Sequence, residues 1–98
     1  MRLKTSEINI IKNCFIKVFQ HGDLYLFGSR IDDNKKGGDI DLYIIPKTKK
    51  DLTLKKIDLL VELKKYLGEQ KIDIVIDKGL NRLIDDIAKK NGILLCKN

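Results

Sequence analysis

Apolar residues recur along the chain in short segments, and their spacing differs from one segment to the next. In three segments the spacing is three or four residues, which is typical of a helix with one buried face. In the other segments apolar residues alternate with polar ones or run together, as in strands. The pattern predicts helices over residues 5–19, 52–67 and 81–90, and strands over residues 23–27, 40–45 and 71–76.

The order of these segments is helix, strand, strand, helix, strand, helix. This order predicts an α+β fold, a small mixed β-sheet with helices packed on it. Residues 93–96 form a short apolar tail that adds a strand or packs on a neighbour. Because 98 residues is the length of one typical domain, we expect a single domain over residues 1–98.

Polar residues and glycines mark where the helices begin and end. Thr5 is the predicted N-cap of the first helix, without a capping box because Ile8 would occupy position N3. Gly22 is expected just past the end of that helix, and Asp51 is expected at the start of the second. The apolar stripe of the second helix is expected at Leu52, Leu60, Leu63 and Leu67, with the stem of Lys56 at its edge and Ile57 and Val61 beside it.

Composition narrows the class of protein. A hydrophobic fraction of 43% and a charged fraction of 35% are typical of a soluble globular protein with a charged surface. No apolar run approaches the ~20 residues that span a bilayer, and polar residues interrupt the N-terminal segment where a signal peptide would be apolar. Cys14 and Cys96 lack metal-ligand spacing, which predicts free thiols in a reducing cytoplasm.

The net charge of +6 could attract nucleic acid or another anionic partner. However, the lysines are scattered along the whole chain, and only six Phe and Tyr residues could stack on bases. We therefore interpret the charge as a lysine-coated surface and do not expect direct nucleic-acid binding, although the charge would help to attract an acidic partner or a nucleotide. His21, the only histidine, is expected on the surface near a helix end.

Three aspartates are predicted on strand faces, and the opposite face of each of these strands is rich in isoleucine. Asp39 and Asp41 are two residues apart on the second strand, so their side chains share a face at a separation of about 6.5–7 Å. Asp73 occupies a similar position on the third strand and joins them if that strand lies beside the second. Carboxylates at this spacing can hold hard cations such as Mg²⁺, and two such ions can stabilise an in-line displacement at phosphorus.

A Gly-Ser turn follows the first strand and could supply the other half of such a site. Backbone N–H groups at Gly28 and the hydroxyl of Ser29 can hold nucleotide phosphates, and Arg30 adds positive charge. Taken alone, each feature also has a simpler structural interpretation. Charged residues can protect an exposed edge strand from pairing with another chain, and Gly-Ser turns are common. In this order and spacing, the features together favour a metal-dependent nucleotide site.

These residues resemble the polymerase-β-type nucleotidyltransferase superfamily, and within it the minimal nucleotidyltransferases. The resemblance rests on the run 27–30 (Phe-Gly-Ser-Arg), on Asp39-Ile40-Asp41-Leu42 and on Asp73, and it covers nearly the whole chain. It implies a polymerase-β-like fold in which Asp39 and Asp41 coordinate two Mg²⁺ ions. It also implies that Asp73 completes one metal site and helps to deprotonate the attacking hydroxyl, while Gly28 and Ser29 hold the phosphates.

The sequence departs from the family pattern at several positions. Nine residues separate Ser29 from Asp39, where many relatives have ten, and Gly38 stands where a serine is usual. Asp32 replaces a common second arginine, so Lys35 or Lys36 could supply that charge, and Cys96 stands where a tyrosine is common. None of these departures removes a carboxylate.

Minimal nucleotidyltransferases are commonly paired with a helical HEPN protein, an RNase toxin. The resemblance therefore implies an antitoxin that transfers AMP from ATP to a tyrosine hydroxyl of that toxin and blocks its RNase site. A chain of this length leaves no room for an acceptor-binding domain, which agrees with an acceptor on another protein. Two alternatives remain open: an antitoxin that neutralises its partner by occlusion without catalysis, and transfer to RNA or to a small-molecule alcohol.

Overall fold

The computed structural model describes residues 4–27, 40–68, 70–79 and 92–97, together with Asp86 and Lys90. Within these residues, the helices with defined bounds are α1 (Thr5–Phe19) and α2 (Leu52–Leu67), and the strands are β1 (Gly22–Phe27), β2 (Ile40–Pro46), β3 (Ile72–Ile76) and β4 (Ile93–Lys97). Of the helix predicted over residues 81–90, only Asp86 and Lys90 are described, and both are helical. The rest of that prediction lies outside the described residues.

The strands form one mixed sheet in the order β3-β2-β1-β4. β1 pairs antiparallel with both β2 and β4, whereas β2 and β3 pair in parallel. A parallel neighbour needs a crossover connection, which α2 provides between β2 and β3. The predicted α+β class and mixed sheet are confirmed, and the apolar tail forms the edge strand β4.

Both helices pack on one face of the sheet, and the core lies between these layers. α1 contacts β1 and β4, whereas α2 contacts β3. Each central strand turns alternate apolar residues toward the helices, as strand geometry requires. The core residues are Leu24 and Leu26 of β1, Ile40, Leu42 and Ile44 of β2, Ile72, Ile74 and Ile76 of β3, Ile11, Phe15 and Phe19 of α1, and Leu59 and Leu63 of α2.

α1 has the predicted bounds, but the residues that cap its two ends differ from the prediction. Lys4, not Thr5, is the N-cap, and this shift places Glu7 at position N3. There the Glu7 Oε1 accepts a hydrogen bond from the backbone N–H of Lys4 at 3.1 Å. Gln20 ends the helix with φ of 66°, and Gly22 already belongs to β1. The hydrogen bond between the Glu7 carboxylate and the backbone of the N-cap residue was not predicted. This bond takes the place of a cap by a side-chain hydroxyl.

α2 begins after Asp51 as predicted, but its buried face is partly different. Leu59 and Leu63 are fully buried, whereas Ile57 and Val61 are 50% and 51% exposed. The prediction placed Ile57 and Val61 beside the buried stripe. Because each residue advances about 100° around a helix, Val61 lies roughly 200° from Leu63 and faces away from the sheet.

An ion-pair network joins the solvent sides of the two helices. The Lys17 Nζ lies 3.2 Å from the Glu62 Oε2, and the Lys65 Nζ lies 3.1 Å from the Glu62 Oε1. The hydrogen bonds from Lys65 and Lys17 hold the pKa of the Glu62 carboxyl below its usual range. Glu62 is therefore already neutralised by its own chain.

Both cysteines are buried free thiols, as predicted. Burial raises the pKa of Cys14, with the nearby Glu62 carboxylate as a second cause, and burial also raises the pKa of Cys96. Thiols with a raised pKa are weak nucleophiles at neutral pH, so neither cysteine is a candidate for covalent chemistry. In the part of the chain that the structure describes, neither helix has the length and hydrophobicity to cross a bilayer.

Candidate active site

The sheet face that points away from the helices carries a row of three residues across three strands. Phe27 at the end of β1 pairs with Asp41 of β2, and Asp41 pairs in turn with Asp73 of β3. Directly paired residues of neighbouring strands point to the same face, and the strands lie about 4.8 Å apart. The fold therefore places the Asp41 and Asp73 carboxylates side by side.

This pair of carboxylates lies where a ligand from solvent can reach it. Asp41 is half-buried and Asp73 is exposed on β3, an edge strand. Like charges directly opposite each other across strands repel. A hard cation would remove the repulsion, and carboxylate oxygens are the ligands that Mg²⁺ takes in proteins. The donor chemistry of the pair fits a divalent cation.

The remaining predicted site residues lie outside the described residues: Gly28, Ser29, Arg30 and Asp39. In sequence, Gly28 directly follows the last residue of β1, and Asp39 directly precedes the first residue of β2. Among the described residues, the structure shows no group of three or more potential metal ligands. It brings two predicted carboxylates together, Asp41 and Asp73, and the place of the third stays a prediction.

An aromatic cluster that was not predicted from the sequence lies next to the carboxylates. Tyr43, two residues after Asp41 on the same face, is fully buried. The Tyr25 and Phe27 rings both meet it edge-on, with centroid distances of 6.2 Å and 6.5 Å. The sequence does contain a signal for this cluster. Aromatic residues stand at alternate positions of the first strand, and another stands two residues after Asp41. Phe27 pairs with Asp41, so the cluster lies beside this half-buried carboxylate, and charges interact more strongly where water is excluded.

This geometry predicts different effects for two similar substitutions. Phe27 and Tyr25 each make one edge-on contact with Tyr43, but only Phe27 lies in the Asp41 row. We expect Phe27→Leu to weaken the affinity for Mn²⁺ by about 10-fold, the scale seen when groups that orient metal ligands are removed. Tyr25→Leu should change the affinity for Mn²⁺ by less than about 2-fold, which is well below the 10-fold effect expected for Phe27→Leu. Titration of Mn²⁺ followed by electron paramagnetic resonance measures both, and equal affinities in the two variants would contradict the assignment.

One buried carboxylate has a structural role instead. Asp77 follows β3, and its Oδ1 accepts a hydrogen bond from the backbone N–H of Gly79 at 2.8 Å. The Asp77 N–H donates to the Ile44 carbonyl oxygen at 2.8 Å, which extends the pairing of β2 and β3 by one bond. These bonds fix the turn after β3 at the opposite end of the strand from Asp73.

The comparison with known families agrees with the geometry. The family model described as polymerase beta, nucleotidyltransferase matches residues 9–98, all but the first eight residues of the chain. No curated protein matches the chain. The matched region includes all four strands, α2 and most of α1, and it contains both Asp41 and Asp73. On the extent of this match, the chain belongs to the polymerase-β nucleotidyltransferase family.

Proposed function

We propose that the protein is a Mg²⁺-dependent antitoxin that transfers AMP from ATP to a tyrosine hydroxyl of a partner HEPN RNase toxin. Family membership supports nucleotidyl transfer in general. The observation that carries the proposal is the in-register pair of Asp41 and Asp73, because two adjacent carboxylates at an exposed strand suit phosphoryl chemistry with a bound cation. An open site on an edge strand is accessible to a hydroxyl on another protein.

Each site residue has a distinct task in the proposed reaction. Asp39 and Asp41 would hold two Mg²⁺ ions, and Asp73 would complete one of these sites. The ions supply positive charge at the attacking and leaving oxygens. Gly28 and Ser29 would hold the triphosphate through backbone N–H groups and a hydroxyl, with Arg30 adding charge.

The proposed transfer is a single displacement at the α-phosphorus of ATP. Asp73, exposed beside the half-buried Asp41, would accept the proton of the attacking tyrosine hydroxyl. A bond forms between the tyrosine oxygen and the α-phosphorus, and the bond from that phosphorus to the oxygen bridging to the β-phosphorus breaks. Pyrophosphate leaves with the bonding electrons, and the toxin retains AMP on its tyrosine.

Transfer of a labelled nucleotide tests this proposal. The purified chain is incubated with Mg²⁺, ATP labelled at the α-phosphorus and a HEPN RNase toxin as the proposed partner. We expect the label on the toxin and a parallel loss of its RNase activity, whereas ATP labelled at the γ-phosphorus should leave the toxin unlabelled. A toxin that stays unlabelled with the first nucleotide, or a label that survives the double substitution Asp39→Ala and Asp41→Ala, would contradict the proposal.

The same variant separates catalysis from occlusion in cells. If the doubly substituted chain still neutralises the toxin in growing cells, binding alone is sufficient and the catalytic role is wrong. We expect instead that neutralisation is lost while the two proteins still associate, because Asp41 does not belong to the hydrophobic core.

A further inference from the structure

α2 carries a second apolar stripe on the side that faces solvent. Leu54, Ile57 and Val61 are 62%, 50% and 51% exposed. Their spacing of three and four residues places them on one side of the helix, away from the buried Leu59 and Leu63. A helix in a globular protein needs one apolar stripe for its core. Contiguous exposed apolar residues rimmed by polar ones are typical of protein interaction sites.

A cavity of about 250 Å³ lies next to this stripe, between the first turns of α2 and strand β3. Thr53 and Lys56 line it from the helix, and residues 74–76 and Lys78 line it from the sheet. Thr53 directly precedes Leu54, and Lys56 directly precedes Ile57. The stripe and the cavity therefore form one continuous surface, which we call the α2–β3 surface.

Lysines without acidic partners surround the cavity. The Lys49 Nζ lies 3.0 Å from the position that a Cβ on Gly79 would take, so it sits over the turn next to Lys78. In the described part of the chain, Lys49, Lys56 and Lys78 make no ion pair. Three unpaired positive charges around one concave site create a potential that attracts acidic groups.

The α2–β3 surface and the carboxylate pair lie on opposite faces of the sheet, and both are next to the β3 edge. β3 is an edge strand, and Asp73 is exposed near its start, whereas the cavity lies near its end. At about 3.3 Å per residue, the five residues from Asp73 to Lys78 span at most roughly 17 Å. A protein bound over the cavity and the stripe would reach Asp73 by extending around the β3 edge, and it would leave the opposite edge of the sheet uncovered.

We propose that the protein carrying the acceptor hydroxyl docks on the α2–β3 surface through an acidic patch that contains apolar side chains. This inference rests on the proposed function and adds where the partner binds and what chemistry its surface has. A second copy of this chain fits the surface poorly, because each copy carries a net charge of +6 and would present lysines to lysines.

Two matched charge reversals test the docking site. Lys49→Glu with Lys78→Glu changes the α2–β3 surface, whereas Lys4→Glu with Lys97→Glu makes the same change in net charge at the start of α1 and on β4. All four lysines are exposed, so we expect both variants to fold. Binding of the acceptor protein used in the transfer assay should weaken at least 10-fold in the first variant and less than 2-fold in the second. The KM for ATP should be unchanged in both.

A third variant examines the apolar part of the surface. Ile57→Ser with Val61→Ser should weaken acceptor binding at least 5-fold with no loss of thermal stability, since both side chains are half exposed.

The outcomes separate this inference from the proposed function. If the wild-type chain labels the acceptor but Lys49→Glu with Lys78→Glu leaves its binding and KM unchanged, the docking site is wrong and the proposed function stands. Equal weakening by both charge reversals would also overturn the docking site, because it would show a general charge effect. A wild-type dimer in sedimentation that Ile57→Ser with Val61→Ser dissociates would assign the surface to a second copy instead. No labelling by the wild-type chain would overturn both proposals.

Discussion

Asp41→Asn is expected to abolish nucleotidyl transfer while the chain remains folded. The amide keeps the shape of the side chain but removes the charge that would hold a divalent cation beside Asp73. We expect kcat to fall on the order of 10³-fold, the scale of losing one group that stabilises charge in a transition state. Stability should change little, because Asp41 is only half-buried and the amide keeps the shape of the side chain. Single-turnover transfer assays and urea unfolding measure the two effects.

Asp23→Asn is the matched control for this substitution. Asp23 is a half-buried aspartate on β1, and it pairs with Ile45 near the far end of β2 from Asp41. The same loss of charge at that distance should change kcat less than 2-fold. The assignment of Asp41 fails if Asp41→Asn keeps more than a tenth of the wild-type rate, or if the two variants lose activity equally.

Gly22→Ala is expected to cause the largest loss of stability of any single methyl addition at a described glycine. Gly22 has φ of 129°, and a Cβ there would lie 2.6 Å from the Ile45 carbonyl oxygen and 3.3 Å from the Pro46 Cα. Both atoms are backbone atoms of β2, which pairs with β1 at this point, so they cannot move without disturbing the sheet. We expect a cost of about 3 kcal/mol, the scale of a strained backbone conformation.

Thermal and urea unfolding measure this cost, with Gly68→Ala as the control. A loss of about 3 kcal/mol lowers the Tm of a domain of this size by roughly 12–24 °C. Gly68 also has a positive φ, of 74°, but a Cβ there would meet no atom within 4 Å. Only the conformational penalty remains at Gly68, about 1–2 kcal/mol. If Gly22→Ala is no more destabilising than Gly68→Ala, the close approach of β1 to β2 at Gly22 is wrong.

The elements with strong local patterns could be predicted from the sequence. The bounds of α1 and α2 were predicted correctly because their apolar residues repeat over 15 and 16 residues, long enough for the helical period to be clear. The strands were predicted to within one residue because Ile and Leu alternate with polar residues between Gly and Pro signals. These features depend only on neighbours in sequence.

Features that depend on tertiary contacts were predicted less well. The pairing of Asp41 with Asp73 could be stated only as a condition, because no local pattern decides which strands become neighbours. The outward direction of Val61 was missed, because α2 has two apolar stripes and the pattern alone does not show which one faces the sheet. The buried Tyr43 was missed for a similar reason, since its ring contacts are with Tyr25 and Phe27 on a neighbouring strand.

The assignment of Asp41 and Asp73 as the metal and nucleotide site can be tested by a crystal structure. The crystal would contain the chain, Mn²⁺ and an ATP analogue that cannot be cleaved between the α- and β-phosphorus. We expect an anomalous peak from Mn²⁺ at about 2.0–2.3 Å from a carboxylate oxygen of Asp41, within the range of hard-cation ligand distances. We also expect the α-phosphate of the analogue beside this peak, with the Asp73 carboxylate on the side open to solvent. A nucleotide and metal bound elsewhere, with neither Asp41 nor Asp73 as a ligand, would contradict the account.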